Sequence, residues 1–252
     1  MKNNIVRIGT RGSKLAIIQA EQVKSAIEKC IEGTVAEIVI IKTTGDKILD
    51  VALSKIGDKG LFTKEIESAL LDNDIDIAVH SLKDLPSVLP SGLVLAGVLE
   101  REEPRDAWIA RENLALEQFT EQHTVATSSL RRKAQLLHYN RNLNIIDIRG
   151  NVDTRLRKMS EGYCDAMVMA AAGLIRMGME KRITRLLNPE IMVPAVCQGI
   201  IGMETRQDDT RVMQIINQIN HLKTFQVAQA ERVFLKMMEG GCQVPVGCYS
   251  EV

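Results

Sequence analysis

The stretch from Asp76 to Pro86 constrains the fold of this chain more than any other, because an apolar run stands directly before a polar turn. The run Ile77–Val79 predicts a short strand that is buried on both faces of a parallel sheet. The polar residues that follow the run are His80, Ser81, Lys83 and Asp84. Pro86 cannot donate to a sheet ladder, so the strand must end before it. Open α/β sheets bind ligands at the carboxyl ends of their strands, which predicts a ligand site here. A solvated turn with a Lys83–Asp84 ion pair is the alternative.

The same alternation of strand and helix recurs along the chain and predicts an α/β fold. Further apolar runs of strand length occur at 5–9, 35–41, 93–99, 123–127, 143–148, 165–170 and 200–204. A length of 252 residues is typical of about two domains. The charged segment Glu100–Arg105 contains a proline and is typical of a hinge. We therefore predict two hinged, doubly wound domains joined by two crossing connections, with 1–99 and 200–217 in the first and 100–199 in the second.

Composition argues against several classes of function. The formal net charge is zero and aromatic residues are few, so neither a basic field nor stacking platforms favour nucleic acid. No apolar run is long enough to span a membrane and no secretion signal opens the chain, which predicts a cytoplasmic protein with no membrane partner. The five cysteines are scattered and lack a C-x-x-C pair, so neither a disulfide framework nor a metal site is expected.

Arginines follow the ends of the predicted strands in both domains. They are Arg11, Arg131, Arg132, Arg149, Arg155 and Arg176. Because strand ends meet at one edge of a sheet, this placement predicts a basic cleft between the domains, suited to carboxylates or phosphates. Arg131 and Arg132 lie in the first turn of a predicted helix capped by Ser129, with Leu130, Ala134 and Leu137 on its apolar face. Cations there oppose the helix dipole, so something anionic should lie in front of them.

Two further features bear on this cleft. Ser13 is the predicted cap of the helix that follows Arg11, and free N–H groups at such a helix start bind anions; a plain cap with a surface arginine is the alternative. The segment Lys42–Gly60 has no sustained periodicity and predicts a loop that acts as a lid. Lys55 and Lys59 would reach from it into the cleft, although solvated lysines are the simpler interpretation.

Taken together, these motifs resemble the hydroxymethylbilane synthase family, also called porphobilinogen deaminase. The resemblance rests on R-I-G-T-R-G-S-K-L-A, K-G-L-F, D-I-A-V-H-S-L-K-D-L-P, E-R-E-E-P-R-D-A, T-S-S-L-R-R, I-R-G-N-V-D-T-R-L, A-A-A-G-L-I-R, V-P-A-V-C-Q-G and E-G-G-C-Q-V-P-V-G, in the family's order. It implies two hinged, doubly wound domains of periplasmic-binding-protein-like architecture and a third, α+β domain. It also implies stepwise condensation of four porphobilinogen molecules onto a covalent dipyrromethane primer, with loss of ammonia and hydrolytic release of a linear tetrapyrrole used for heme.

The resemblance implies a role for each matching residue. Cys242 would hold the primer by a thioether, and the other implied primer-binding residues are Lys83, Asp84, Ser129, Arg131, Arg132 and Arg176. The implied substrate-binding residues are Arg11, Ser13, Thr127, Ser128, Arg149, Gly150, Arg155 and Ala170. The implied catalytic residues are Asp84, Arg11, Arg149 and Arg155. Asp84 would stabilise the cation formed as ammonia leaves. Phe62 would stand at the base of the lid, and no metal is implied.

Three departures from the family pattern lead to further expectations. Lys14 stands where the family commonly has proline at a helix start, which should be tolerated. Cys197 replaces a usual glycine, so strain is expected if its φ is positive. The segment 218–252 would be a shortened remnant of the third domain, carrying the primer cysteine. Its apolar residues would lack partners and favour association of chains; they are Leu222, Phe225, Val227 and Val233.

Several alternatives remain open at the level of sequence. One is an inactive or primer-free truncated form of the same enzyme. Another is a two-domain module that binds small anions without forming a covalent adduct. A third is a Schiff-base enzyme with Lys83 as nucleophile, which is disfavoured because Lys83 beside Asp84 should carry a charge. In the favoured interpretation the protein is a monomer that binds porphobilinogen.

Overall fold

The computed structural model describes residues 5–47, 60–238 and 245–252. The strands are β1 Ile5–Arg11, β2 Val35–Ile41, β3 Ile77–Ser81, β4 Leu93–Val98, β5 Asp106–Ala110, β6 Thr124–Ala126, β7 Asn144–Ile146, β8 Ala166–Ala170, β9 Arg185–Leu186 and β10 Ile201–Arg206. The helices are α1 Lys14–Cys30, α2 Thr44–Lys47, α3 Lys64–Leu71, α4 Leu130–Tyr139, α5 Val152–Ser160, α6 Ala171–Arg176, α7 Thr210–Ile219 and α8 Leu222–Met237. The predicted α/β class is therefore confirmed.

The first sheet has the strand order β2-β1-β3-β10-β4. β1 runs parallel to β2 and β3, whereas β10 is antiparallel to both β3 and β4. β3 was predicted to lie in a parallel sheet. This prediction is correct for its neighbour β1 and wrong for its neighbour β10, which runs antiparallel to it. Its burial on both faces is confirmed: Ile77–Val79 are buried, with the apolar sides of α1 and α7 over one face of the sheet and α3 over the other.

The second sheet repeats this pattern with the order β7-β6-β8-β5-β9. β6 is parallel to β7 and β8, and β5 is antiparallel to β8 and β9. In both sheets the antiparallel strand is the one that directly follows a connection from the other sheet. Trp108 on β5 is fully buried and meets Phe119 edge to face, with ring centroids 4.8 Å apart. Each lobe therefore has its own apolar core.

The two crossing connections touch each other between the lobes. The Glu102 backbone N–H donates to the Gly199 carbonyl over 3.1 Å. Gly199 has φ +89°, and a Cβ at this position would lie 2.3 Å from the Glu102 oxygen. Nearby, Cys197 has φ +58°, so the strain expected at this replacement of glycine is present. The predicted domain limits themselves stay predictions.

The helix α8 packs across the first lobe near these connections. Val227 is buried and Phe225 packs against the same cluster, which includes Leu82, Leu85 and Val98. The expectation that Phe225 and Val227 lack partners is therefore wrong, because the back of the β3 turn covers them. Two of the other apolar residues are exposed as expected, Leu222 by 71% and Val233 by 57%. None of the helices in the described ranges is long and apolar enough to cross a membrane.

Candidate active site

The turn after β3 is a short 3-10 helix, Leu82–Asp84, that presents two charged side chains. Leu82 and Leu85 are buried and anchor the turn, whereas Asp84 is exposed and Lys83 is half-buried. Burial lowers the pKa of the Lys83 ammonium to about 8, although the neighbouring Asp84 opposes this change. Arg132 and Arg131 of the second lobe lower it further, so this turn lies within electrostatic range of α4. Lys83 is still mainly charged at pH 7, which suits anion binding better than nucleophilic attack.

The start of α4 is built around one buried carboxylate, Asp106. Arg131 donates to Asp106 Oδ2 at 2.7 Å, and Arg132 donates to Oδ1 at 2.7 Å and 3.2 Å. Ser129 caps the helix as predicted, its hydroxyl accepting from the Arg132 N–H. Burial opposes ionisation of Asp106, but Arg132 and Arg131 outweigh it and hold the pKa of that carboxyl below its usual range. An anionic group was predicted in front of Arg131 and Arg132, and the Asp106 carboxylate of the chain itself is such a group.

The predicted apolar face of α4 is wrong. Leu130 is 47% exposed and Ala134 is also exposed, whereas Arg131, Arg132 and Leu136 are buried. The helix is rotated so that its guanidiniums reach Asp106 and the carbonyl of Val168. Asp106 was not among the predicted site residues, although the sequence carries a signal for it: a single acid opens the apolar strand D-A-W-I-A.

A second basic group comes from the start of α5. Asn151 caps this helix by accepting from the Thr154 N–H at 2.9 Å, and Arg155 donates to the Gly150 carbonyl at 2.7 Å. Burial lowers the pKa of Arg155 to about 10, and the charges of Arg132 and Arg149 add to this effect while Asp84 opposes it. Arg155 of the second lobe is therefore within electrostatic range of Asp84 of the first lobe.

The remaining predicted residues each have contacts of their own. Arg11 stacks over the Phe62 ring, 4.1 Å from its centroid, and Ser13 caps α1 as predicted. Arg176 donates to the Gly199 carbonyl at 2.7 Å, so it lies against the hinge. Burial lowers the pKa of Arg176 to about 10, with Glu102 opposing this change.

The smaller predicted residues have mainly structural contacts. Thr127 is buried, its hydroxyl accepting from the Ser129 N–H, and the Ser128 hydroxyl pairs with the backbone of Ile148 in both directions. Gly150 has φ +116°, and Ala170 directly precedes α6. Lys55, Lys59 and Cys242 lie outside the described residues.

The side chains at this cleft suit a ligand with several carboxylates. The basic groups Lys83, Arg131, Arg132, Arg149 and Arg155 come from both lobes, and Asp84 stands among them. Guanidinium and ammonium groups supply donors only, which matches the acceptor oxygens of carboxylates. No His, Cys, Asp and Glu side chains in the described parts of the chain are grouped to hold a metal ion.

Comparison with known proteins identifies the family. The family model described as porphobilinogen deaminase, dipyrromethane cofactor-binding domain, matches residues 6–214, and the model of the C-terminal domain matches 225–252. The chain belongs to the porphobilinogen deaminase family. The resemblance seen in the sequence is thereby confirmed, and the matched domain is the one that binds the dipyrromethane cofactor.

Individual members of the porphobilinogen deaminase family align over nearly the whole chain. The porphobilinogen deaminase of Syntrophomonas wolfei is 53% identical over 98% of this chain and 81% of its own length. That of Gloeobacter violaceus is 51% identical over 98% and 76%, and that of Pelotomaculum thermopropionicum is 50% identical over 100% and 80%. Among solved structures, an ancestral cationic amino acid solute-binding protein has a TM-score of 0.52 at 13% identity, covering 92% of this chain and 96% of the other. This likeness confirms the two-lobe, periplasmic-binding-protein-like fold.

Proposed function

We propose that this cleft carries out the hydroxymethylbilane synthase reaction of the family, with Asp84 as its central catalytic residue. The reaction is a transferase reaction in which four porphobilinogen molecules are joined, ammonia is lost each time, and a linear tetrapyrrole is released by hydrolysis for heme biosynthesis. One feature supports this proposal above the others: Asp84 lies in the turn after β3 beside Lys83, and it is within electrostatic range of Arg155 on the other lobe. A carboxylate in that position can balance a positive charge that develops on the substrate.

The basic residues would hold the carboxylates of the reacting molecules. Porphobilinogen carries an acetate and a propionate, which Arg149 and Arg155 would bind, with Arg11 and Ser13 at the start of α1. Lys83, Ser129, Arg131 and Arg132 would hold the carboxylates of the primer, and Arg176 would do so from the hinge. When bound through Cys242, the dipyrromethane supplies the pyrrole carbon that accepts the next unit. Because Lys83 is half-buried, its charge would attract such a ligand more strongly than a charge in open water.

Asp84 would act twice in each cycle. As the C–N bond of porphobilinogen breaks and ammonia leaves with the electron pair, positive charge spreads over the pyrrole ring, and Asp84 would stabilise this cation. Once the new carbon–carbon bond has formed, Asp84 would accept the ring proton that is released. Lys55 and Lys59 would belong to a lid over the cleft, with Phe62 under Arg11 at its base.

The substitution Asp84→Asn tests this assignment. We expect it to keep the fold and the covalent primer, seen as an added mass of two pyrrole units, and to lower turnover at least about 100-fold because the stabilising charge is lost. Asp208→Asn is the matched control, since Asp208 is an exposed carboxylate beyond the end of β10, at the opposite edge of the first sheet. An Asp84→Asn variant as active as this control would overturn the assigned role, and loss of the primer in Cys242→Ser would establish the attachment site.

We also infer that the protein works as a cytoplasmic monomer without a membrane or nucleic-acid partner. The net charge of zero supports the absence of a membrane or nucleic-acid partner, because no global positive field attracts an anionic membrane surface or a nucleic acid. The exposed Leu222 and Val233 argue for testing it by size-exclusion chromatography at several concentrations.

A further inference from the structure

One guanidinium of α8 holds the backbone that directly follows Asp84. Arg232 donates from Nη1 to the Leu85 carbonyl at 3.2 Å, and from Nη2 to the Pro86 carbonyl at 2.7 Å and the Ser87 carbonyl at 3.4 Å. Three successive carbonyls thus turn toward a single side chain. Arg232 itself is half-buried, which strengthens such charge-assisted bonds relative to bonds in open water.

The hydrogen bonds from Arg232 hold a segment that cannot form the backbone hydrogen bonds of a sheet. Pro86 has no N–H, so the chain beyond Asp84 cannot continue as a strand of the sheet. On the other side of Asp84, the Leu82 N–H donates to the Ile200 carbonyl at 2.9 Å, and the Leu85 N–H closes the 3-10 turn onto the Leu82 carbonyl at 3.2 Å. The backbone on both sides of Asp84 is therefore held, on one side by the Ile200 carbonyl just before β10 and on the other by Arg232.

Apolar packing attaches the same turn to the same helix. Leu82 and Leu85 belong to one buried cluster with Val227 and Ala228 of α8. These contacts fix the distance between helix and turn, but apolar packing is not directional. The three hydrogen bonds of Arg232 supply the direction, because the N–H groups of a guanidinium donate only near its own plane.

We propose that Arg232 is a positioning residue that sets the orientation of Asp84 through the carbonyls of Leu85, Pro86 and Ser87. The proposal rests on the proposed function of Asp84. It also gives α8, the helix that precedes Cys242 in the chain, a direct link to the turn at which the new bond would form. A displacement of about 1 Å at a reacting group can cost roughly 100-fold in rate, so a contact of this kind affects turnover more than substrate binding.

The test compares Arg232→Gln and Arg232→Lys with Lys236→Gln. Lys236 is exposed one turn further along α8, so its substitution removes the same charge from the same helix without touching the turn. Two quantities are measured in the full chain: amide hydrogen exchange of a peptide covering residues 82–89, and kcat and KM with porphobilinogen.

We expect Arg232→Gln to exchange at least about tenfold faster in this peptide and to lose about 10- to 100-fold in kcat, with KM changed by less than about threefold. Arg232→Lys keeps the charge but not the fork, so it should fall between the parent and Arg232→Gln. Unchanged exchange in Arg232→Gln would overturn the proposal, and so would faster exchange with kcat within twofold of Lys236→Gln. If the parent itself fails to turn over porphobilinogen, the proposed function fails, whereas the exchange comparison still decides whether Arg232 orders the turn.

Discussion

Asp106 is fully buried, and its carboxylate is the counter-charge of two buried arginines, Arg131 and Arg132. Both of its oxygens accept from guanidinium groups, and Gln198 also donates to Oδ1 at 3.0 Å. Without this carboxylate, Arg131 and Arg132 would be two like charges buried side by side. Asp106 is therefore a structural requirement for the basic cleft, although no ligand needs to touch it.

Asp106→Asn should lower the free energy of unfolding by about 3 kcal/mol, because it leaves two buried guanidiniums without a counter-charge. The measurement is urea unfolding. The matched control is Glu117→Gln, which breaks an exposed ion pair with Arg185 and should cost less than about 1 kcal/mol. Equal effects of the two substitutions would contradict the proposed structural role of Asp106.

Lys83 should give the protein a pH dependence above neutrality. Its pKa of about 8 in the folded chain is below the ordinary value of 10.5, so between these two values the unfolded chain binds more protons than the folded one. The free energy of unfolding should therefore rise from pH 8 to pH 10.5 through this group. The measurement is the difference in unfolding free energy between the parent and Lys83→Met, which should shift in favour of the parent across this range. A difference that does not change with pH would show that Lys83 titrates at its ordinary value.

At the scale of elements, side-chain caps order the first turns of two helices of the second lobe, α4 and α5, which carry charged residues of the cleft. Asn151 caps α5 three residues before Thr154, and Gly150 before it adopts a φ of +116°. A Cβ at Gly150 would come within 2.6 Å of the Thr154 side chain, so the loop closes tightly on the helix. Arg155 donates back to the Gly150 carbonyl and thereby depends on this local geometry.

Asn151→Ala should destabilise the protein by about 1 kcal/mol, because the Thr154 N–H loses its acceptor. Asn151→Asp keeps an acceptor at the same place and should restore most of this loss. Thermal unfolding of the three proteins provides the measurement. An alanine variant as stable as the parent would mean that water satisfies the N–H equally well.

At the scale of the whole molecule, the two lobes meet through two chain crossings that lie in backbone contact. Arg101 on the first crossing donates from Nε to the Gln198 carbonyl on the second at 2.9 Å, and from Nη1 to Glu231 of α8 at 2.8 Å. Glu231 also accepts from the Cys197 and Ser250 N–H groups. One buried carboxylate of α8 thus joins the hinge to the end of the chain.

Gly199→Ala should be strongly destabilising, since its Cβ would stand 2.3 Å from the Glu102 oxygen and force the crossings apart. Gly178→Ala is the matched control: it also has positive φ, but a Cβ there would meet nothing within 4 Å. The control should cost about 1 kcal/mol from conformation alone, and Gly199→Ala at least about 2 kcal/mol more from overpacking. Unfolding free energies within experimental error of each other would show that the crossings can separate freely.

The sequence by itself determined eight of the ten described strands, the helix caps Ser13 and Ser129, the return of the chain at Ile201–Arg206 and the family. These are properties of neighbouring residues: apolar runs of strand length, caps such as Ser13 and Ser129, and motifs of fixed spacing. The sequence also predicted an anionic group near the start of α4, because Arg131 and Arg132 in the first turn oppose the helix dipole. The Asp106 carboxylate lies against both of them.

Only the tertiary structure decided which charges face each other. Arg131 and Arg132 were predicted to bind a ligand, and the rotation of α4 pairs them first with Asp106, 25 and 26 residues earlier in the chain. Arg232 reaches the Leu85 carbonyl across 147 residues of sequence. Such pairings depend on how whole elements pack and rotate against one another, and the apolar pattern of one helix does not contain that information. The residues of β3 likewise predict that the strand is buried, but they do not determine that the neighbouring strand β10 runs antiparallel to it.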